Sequence, residues 1–120
     1  MDIYFKTKKL QKLCSVSREA QRHLGAKRAR RLRQRMMELK AAISLDDFLR
    51  LPPARCHELT GNRKGQLSVD LEHPYRLVFI PANNPIPKTA DGGLDWPEVT
   101  EIEIIEIVGI LHFVVYTFST

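Results

Sequence analysis

RCHELTGNRKGQLSVDLEHPYRLVFIP, positions 55–81, holds the clearest β signal in the chain. Gln66–Leu71 and Tyr75–Ile80 alternate apolar with other residues, the period of a strand with one buried face. Glu72-His73-Pro74 between them has turn composition, so the two runs close into an antiparallel hairpin. Gly61-Asn62-Arg63-Lys64-Gly65 ahead of them is a second turn. His57, Arg63, Lys64, His73 and Arg76 all fall within positions 57–76. A hairpin with cations at its ends is a scaffold suited to phosphate.

Upstream, Asp2–Phe5 reads as a short strand with Ile3 and Phe5 on one face. Lys6–Leu24 is helical in pattern, with a break expected at Ser15–Ser17, where serines offer the backbone other hydrogen bonds. Gly25 ends it. A second helix follows from Ala26 to about Ala42. Ala29, Leu32, Met36, Leu39 and Ile43 step by three and four along one stripe that should be buried. Lys27, Arg28, Arg30, Arg31, Arg33 and Arg35 occupy its other faces, and the two helices form an αα-hairpin. Ser44-Leu45-Asp46-Asp47 opens a short third helix through Arg50, which Pro52-Pro53 ends. A strand is expected over Arg55–Leu59.

Downstream, Pro81–Pro97 holds four prolines and two glycines, the composition of a surface loop, with Trp96 to pin it. VTEIEIIEIV from Val99 is strongly β. Ile102 and Ile104 share one face and Ile105 and Ile107 the other, a phase slip that implies a bulge or a strand buried on both faces. Ile110–Phe118 is a further apolar β run that should be paired or buried. The order predicts an α+β fold: an antiparallel sheet of four to five strands, with the helical hairpin and the short third helix on one side.

At 120 residues with 43% apolar and 28% charged side chains, the chain suits one soluble domain. No apolar run approaches the ~20 residues that cross a bilayer, and the N-terminus lacks a signal-peptide core. Cys14 and Cys56 stand apart, as reduced cytosolic thiols do. Positions 1–60 carry 15 Lys+Arg against 6 Asp+Glu, whereas positions 61–120 carry 4 against 8. Six of the cations lie in the nine residues Lys27–Arg35. Like charges at that density repel, so a polyanion or an acidic partner is expected there.

Arg55-Cys56-His57-Glu58-Leu59, then Gly61-Asn62-Arg63-Lys64-Gly65-Gln66-Leu67-Ser68-Val69, then Tyr75-Arg76-Leu77-Val78-Phe79 resemble toxins of the RelE/ParE superfamily, its HigB branch in particular. Pro81-Ala-Asn-Asn-Pro-Ile-Pro and Asp91-Gly-Gly-Leu-Asp-Trp96 resemble the long loop of one subgroup. The resemblance implies a RelE-like fold and a small cytoplasmic toxin held inactive by a helix-turn-helix, HigA-like antitoxin. It implies mRNA cleavage on the ribosome without metal or cofactor, no membrane partner, and contact with DNA only through the antitoxin.

Such cleavage needs a base for the 2′-OH, cations for the charged phosphorane and an acid for the leaving 5′-oxygen. The 2′-OH requirement spares DNA. By resemblance His57 is the acid/base, Arg76 a phosphate clamp, and Arg63 a ligand of RNA or ribosomal phosphate. Lys27, Arg28, Arg30, Arg31, Arg35 and Lys64 would dock RNA. Three positions depart from the pattern. Thr60 stands where a Lys is common, Glu72 where an Arg is common, and His112 lies out of register with a C-terminal Asp-Tyr-His. These departures leave open a non-catalytic toxin, either a gyrase poison or a ribosome blocker, and a decayed relative that only binds antitoxin. As plain structure, His57 reads as a hydrogen-bonded strand residue, His73 as a turn residue and His112 as a core residue.

Overall fold

The computed structural model describes residues 1–50, 55–111 and 114–117, with the backbone alone from residue 110 onward. Strand β1 (Asp2–Phe5) is followed by helices α1 (Lys8–Ser15), α2 (Ser17–Leu24), α3 (Ala26–Ala41) and α4 (Leu45–Leu49). Strands β2 (His57–Glu58), β3 (Leu67–Asp70), β4 (Tyr75–Pro81), β5 (Glu101–Leu111) and β6 (Val114–Thr117) complete an α+β architecture.

Lys6 still belongs to the sheet edge, its N–H reaching the Ile104 carbonyl at 2.9 Å. The first helix therefore starts later than expected, where the Thr7 hydroxyl accepts from the Leu10 N–H at 3.0 Å. It breaks at Val16, between the two serines, as their chemistry suggests. Gly25 alone joins α2 to α3 with φ +83°, a conformation that a side chain resists. Gly25→Ala is expected to lower stability by about 1 kcal/mol in urea unfolding, and an unchanged midpoint would contradict it.

Ala29, Leu32 and Leu39 of α3 are buried as their spacing predicts, but Ile43 is 80% exposed. The helix ends at Ala41 and Ala42 turns extended, so the stripe no longer reaches that position. The Met1 ammonium donates to the Leu39 and Lys40 carbonyls at 3.3 and 3.0 Å, a favourable charge at a helix C-terminus. Ser44 precedes α4 without a side-chain cap; instead Asp47 Oδ2 accepts from the Ile43 N–H at 3.2 Å. Pro52-Pro53 lies outside the described residues.

The sheet order is β1-β5-β4-β3-β2, with β6 on the far end of β5. Strand β1 pairs with β5 in parallel, from Asp2↔Glu101 to Phe5↔Ile104, while all other pairs are antiparallel. The expectation of a four- to five-stranded antiparallel sheet is corrected to a mixed sheet with six strands among the described residues. Among the described residues four helices and a hairpin separate β1 from β5, so no turn dictates their relative direction, and a crossover that long permits the parallel arrangement. The strand expected over Arg55–Leu59 shrinks to β2, because Arg55 has φ +49° and cannot extend the ladder.

Leu77 faces Ile107 and Val78 faces Glu106, but Phe79 faces Ile104, so Ile105 is an extra residue in β5. This bulge explains the phase slip and corrects one pairing. Ile107 is buried with Ile102 and Ile104, not alongside Ile105. Leu67 and Val69 of β3, Leu77 and Phe79 of β4 and these three isoleucines share one core with buried residues of all four helices. The helices thus cover one sheet face.

Residues 82–100 form the proline-rich excursion. Trp96 packs against the core, as expected. Asn83 fastens the base of the loop, its Oδ1 accepting from the Thr100 and Glu101 N–H groups at 3.0 and 3.1 Å. The apolar tail is paired where described, through β6, while His112, Phe113 and Phe118 lie outside the described residues. Among the described residues no helix is long and apolar enough to cross a membrane.

Candidate functional site

Alternation along β3 and β4 sends Leu67, Val69, Leu77 and Phe79 into the core, and therefore turns Ser68, Asp70, Arg76 and Val78 to the face opposite the described helices. Register aligns them: His57 pairs with Ser68, Ser68 with Val78, and Val78 with Glu106, while Asp70 pairs with Arg76. On this face Arg76 is the centre of a hydrogen-bonded cluster. Its Nε donates to Ser68 Oγ at 2.7 Å, its Nη1 to the Asp70 carboxylate, and its Nη2 to the Arg55 carbonyl at 3.0 Å. The same Nη2 lies 3.3 Å from His57 Nδ1.

His57 is exposed, and its Nδ1 also lies 3.2 Å from the Arg55 carbonyl. With Nδ1 protonated toward that carbonyl, Nε2 carries the lone pair. Among the described residues Nε2 has no hydrogen-bond partner. Arg55 is itself ion-paired, its Nε 3.2 Å from Asp70 Oδ2. One carboxylate therefore bridges two guanidiniums beside an imidazole.

The Arg76 side chain is only 18% exposed. Burial lowers its pKa from the ordinary value, Asp70 opposes that shift and Arg55 reinforces it. Behind the cluster, burial pushes the Cys56 thiol up to about 12 from 9.0, the Arg76 charge working against that rise. Cys14 and Cys56 are both free thiols. Cys56 is expected to resist iodoacetamide at mildly alkaline pH, since the thiolate is the nucleophile. Its folded pKa lies above its unfolded one, so the stability it contributes is complete below pH 9 and declines as pH rises toward about 12. Urea midpoints measured over that range check the sign.

Arg63 sits at the rim in the 3₁₀ turn Gly61–Arg63. Its Nη1 donates to Gln66 Oε1 at 3.0 Å and to Glu106 Oε1 at 2.5 Å, so it spans from the β3 edge across β4 to β5. Glu106 is three strands from His57, roughly 14 Å at about 4.8 Å per strand. Arg63 is therefore on the same face as the His57 cluster but not part of it. Lys64 is exposed beside Arg63, and His73 is exposed in the hairpin turn.

The basic helix lies elsewhere. Helix α3 packs on the opposite side of the sheet, so its cations and His57 do not meet. Glu72 of the hairpin turn lies 3.6 Å from Lys27 Nζ and 3.7 Å from Arg31 Nη2, an internal partner for two cations that the sequence reading assigned to RNA. Arg28 stacks 4.3 Å from the Tyr75 ring centroid and donates to the Leu24 carbonyl at 3.3 Å. Arg30 and Arg33 are exposed. Arg35, expected on the polar face, is 1% exposed. Its Nε donates to the Asp70 carbonyl at 2.7 Å and its Nη1 to Glu38 Oε1 at 2.8 Å. It is corrected from a docking cation to an internal brace, because the Leu32–Leu39 stripe carries position 35 toward the sheet.

No family model matches this chain, and no curated protein matches it in sequence.

Among the described residues no group of three or more His, Cys, Asp and Glu is placed to hold a metal ion. Sequence reasoning missed Arg55, Ser68 and Asp70 as members of the cluster. Asp70 was within reach: counting outward from the Glu72-His73-Pro74 turn sets it opposite Arg76. Ser68 follows from the same alternation. Nothing in the sequence marks Arg55, whose place depends on its left-handed backbone.

Proposed function

We propose that this chain is a HigB-like toxin of the RelE/ParE fold that cleaves mRNA on the ribosome. The observation that carries the reading is the contact of His57 with Arg76 on the sheet face opposite the described helices. The α+β element order and the motifs at Arg55–Leu59, Gly61–Val69 and Tyr75–Phe79 support it. In this mechanism His57 Nε2 takes the proton of the 2′-OH, and the 2′-oxygen bonds to phosphorus. The bond from phosphorus to the 5′-oxygen breaks, and that oxygen leaves with a proton returned by His57. The products are a 2′,3′-cyclic phosphate and a 5′-OH. Arg76 supplies positive charge beside the reaction, where a shielded cation acts more strongly than in water. Arg63 and Lys64 at the rim contact the flanking RNA. The partners are the ribosome, its mRNA and a helix-turn-helix antitoxin.

Primer extension on a defined message in a reconstituted translation reaction tests this reading. Codon-spaced cuts that require ribosomes support it, and an intact message overturns it. The ion pairs of Arg76 with Asp70 and of Arg63 with Glu106 favour one second reading, a ribosome blocker without cleavage chemistry. Stalled translation on an intact message is its signature.

Docking by exposed cations makes association depend on salt. Arg30→Ala and Lys64→Ala are each expected to flatten the log–log salt dependence of ribosome binding by about 0.7–0.9. Pelleting with ribosomes over a salt series measures it, and an unchanged slope removes that residue from the interface.

A further inference from the structure

Arg76 and Arg55 share the Asp70 carboxylate, yet their donors are used very differently. Every nitrogen of Arg76 is engaged: Nε by Ser68, Nη1 by Asp70, and Nη2 by the Arg55 carbonyl. Arg55 commits only its Nε, to Asp70 Oδ2 at 3.2 Å. Among the described residues its two terminal nitrogens have no hydrogen-bond partner, and its side chain is 73% exposed. Arg55 also holds φ +49°, a left-handed conformation that residues with a side chain rarely adopt. That conformation accompanies a carbonyl within 3.0 Å of Arg76 Nη2 and 3.2 Å of His57 Nδ1, while the guanidinium remains open to solvent.

We infer that Arg55 is the guanidinium that binds the substrate phosphate, and that Arg76 is a positioning residue which holds Asp70 and the Arg55 carbonyl in place, and through that carbonyl His57. The inference rests on the phosphodiester reading above and reassigns the roles within it. A planar fork with two free terminal nitrogens meets two oxygens of one phosphate at once. Asp70 bonded to the Arg55 Nε fixes the orientation of that fork. The same residue's carbonyl favours the His57 tautomer with its lone pair on Nε2. A phosphodiester held by Arg55 therefore lies next to the base that would take its 2′-proton. Arg63, whose Nη1 is held by Glu106 and Gln66 at the rim, is left to the flanking RNA.

The test uses an RNA dinucleotide with a 2′-deoxy first sugar, which can bind but has no nucleophile to react. Binding is followed by titration calorimetry and by the NMR shifts of the His57 imidazole. Arg55→Gly suits the positive φ, so it removes the guanidinium without burdening the backbone. It is expected to weaken dinucleotide binding at least tenfold and to abolish the response of His57. Arg55→Lys should restore part of the affinity, and Lys88→Ala, which removes an exposed cation of the proline-rich loop, should stay within about twofold of wild type, as loss of a peripheral cation does. Arg55→Gly binding as tightly as wild type overturns the inference, as does a His57 imidazole unmoved by saturating dinucleotide in the wild-type chain. Ribosome assays separate this outcome from failure of the ribonuclease reading. Arg55-dependent binding with no cleavage on ribosomes retires the reaction and leaves the phosphate site. Cleavage that is lost in His57→Ala but kept in Arg55→Gly does the reverse.

Discussion

His57→Ala is expected to lower ribosome-dependent mRNA cleavage by about 10²–10⁴-fold, the usual contribution of a general acid/base. The fold should hardly notice. His57 is exposed on a two-residue edge strand, and surface substitutions of that kind change stability by less than about 0.5 kcal/mol. Arg76→Ala separates from it cleanly. It should lose cleavage to a similar degree, but also cost about 1–3 kcal/mol, because Asp70, Ser68 and the Arg55 carbonyl lose a shared donor. Primer extension and urea unfolding of the two variants, read together, distinguish chemistry from scaffold. Wild-type cutting by His57→Ala would sink the catalytic assignment.

Arg35→Ala is expected to be the most destabilising single change among the cations, at about 2–4 kcal/mol. The loss has two parts. The Asp70 carbonyl forfeits its 2.7 Å donor, an unsatisfied group of the kind that costs about 1–3 kcal/mol. The aliphatic stem of a 1% exposed side chain also leaves a space between α3 and the sheet. Glu38 keeps access to water, so no buried charge is left behind. Arg35→Lys should recover only part of the loss, since an ammonium cannot reproduce the fork that meets both acceptors. Urea midpoints give the cost. The salt dependence of ribosome binding should match wild type, in contrast to Arg30→Ala. A stable Arg35→Ala variant with weakened ribosome binding would reverse the correction.

The parts of the fold legible in the sequence are those set by neighbours. The hairpin follows from alternation and turn chemistry, the break at Val16 from its flanking serines, and the bulge from the slipped isoleucines. Long-range choices were not legible. The parallel run of β1 depends on where the whole chain returns to it. Arg35 misled through its residue type, although its spacing from Leu32 and Leu39 by three and four places it on the buried stripe. The candidate site divides in the same way. His57 and Arg76 stand out as residue types and Asp70 can be counted from the turn, but Arg55 enters through a backbone angle that no local pattern announces.

Among the described residues strand β1 finds its only strand partner in residues 101–104 of β5, which gives these elements an order of completion. During synthesis the hairpin that carries Asp70 and Arg76 can close soon after it emerges. Strand β1 must wait until residues 101–104 have been translated, and contacts of such sequence separation are slow to form. Nascent chains that stop before residue 101 would carry a formed β3–β4 hairpin with an unpaired β1 and an open β4 edge, both exposed to association with other chains.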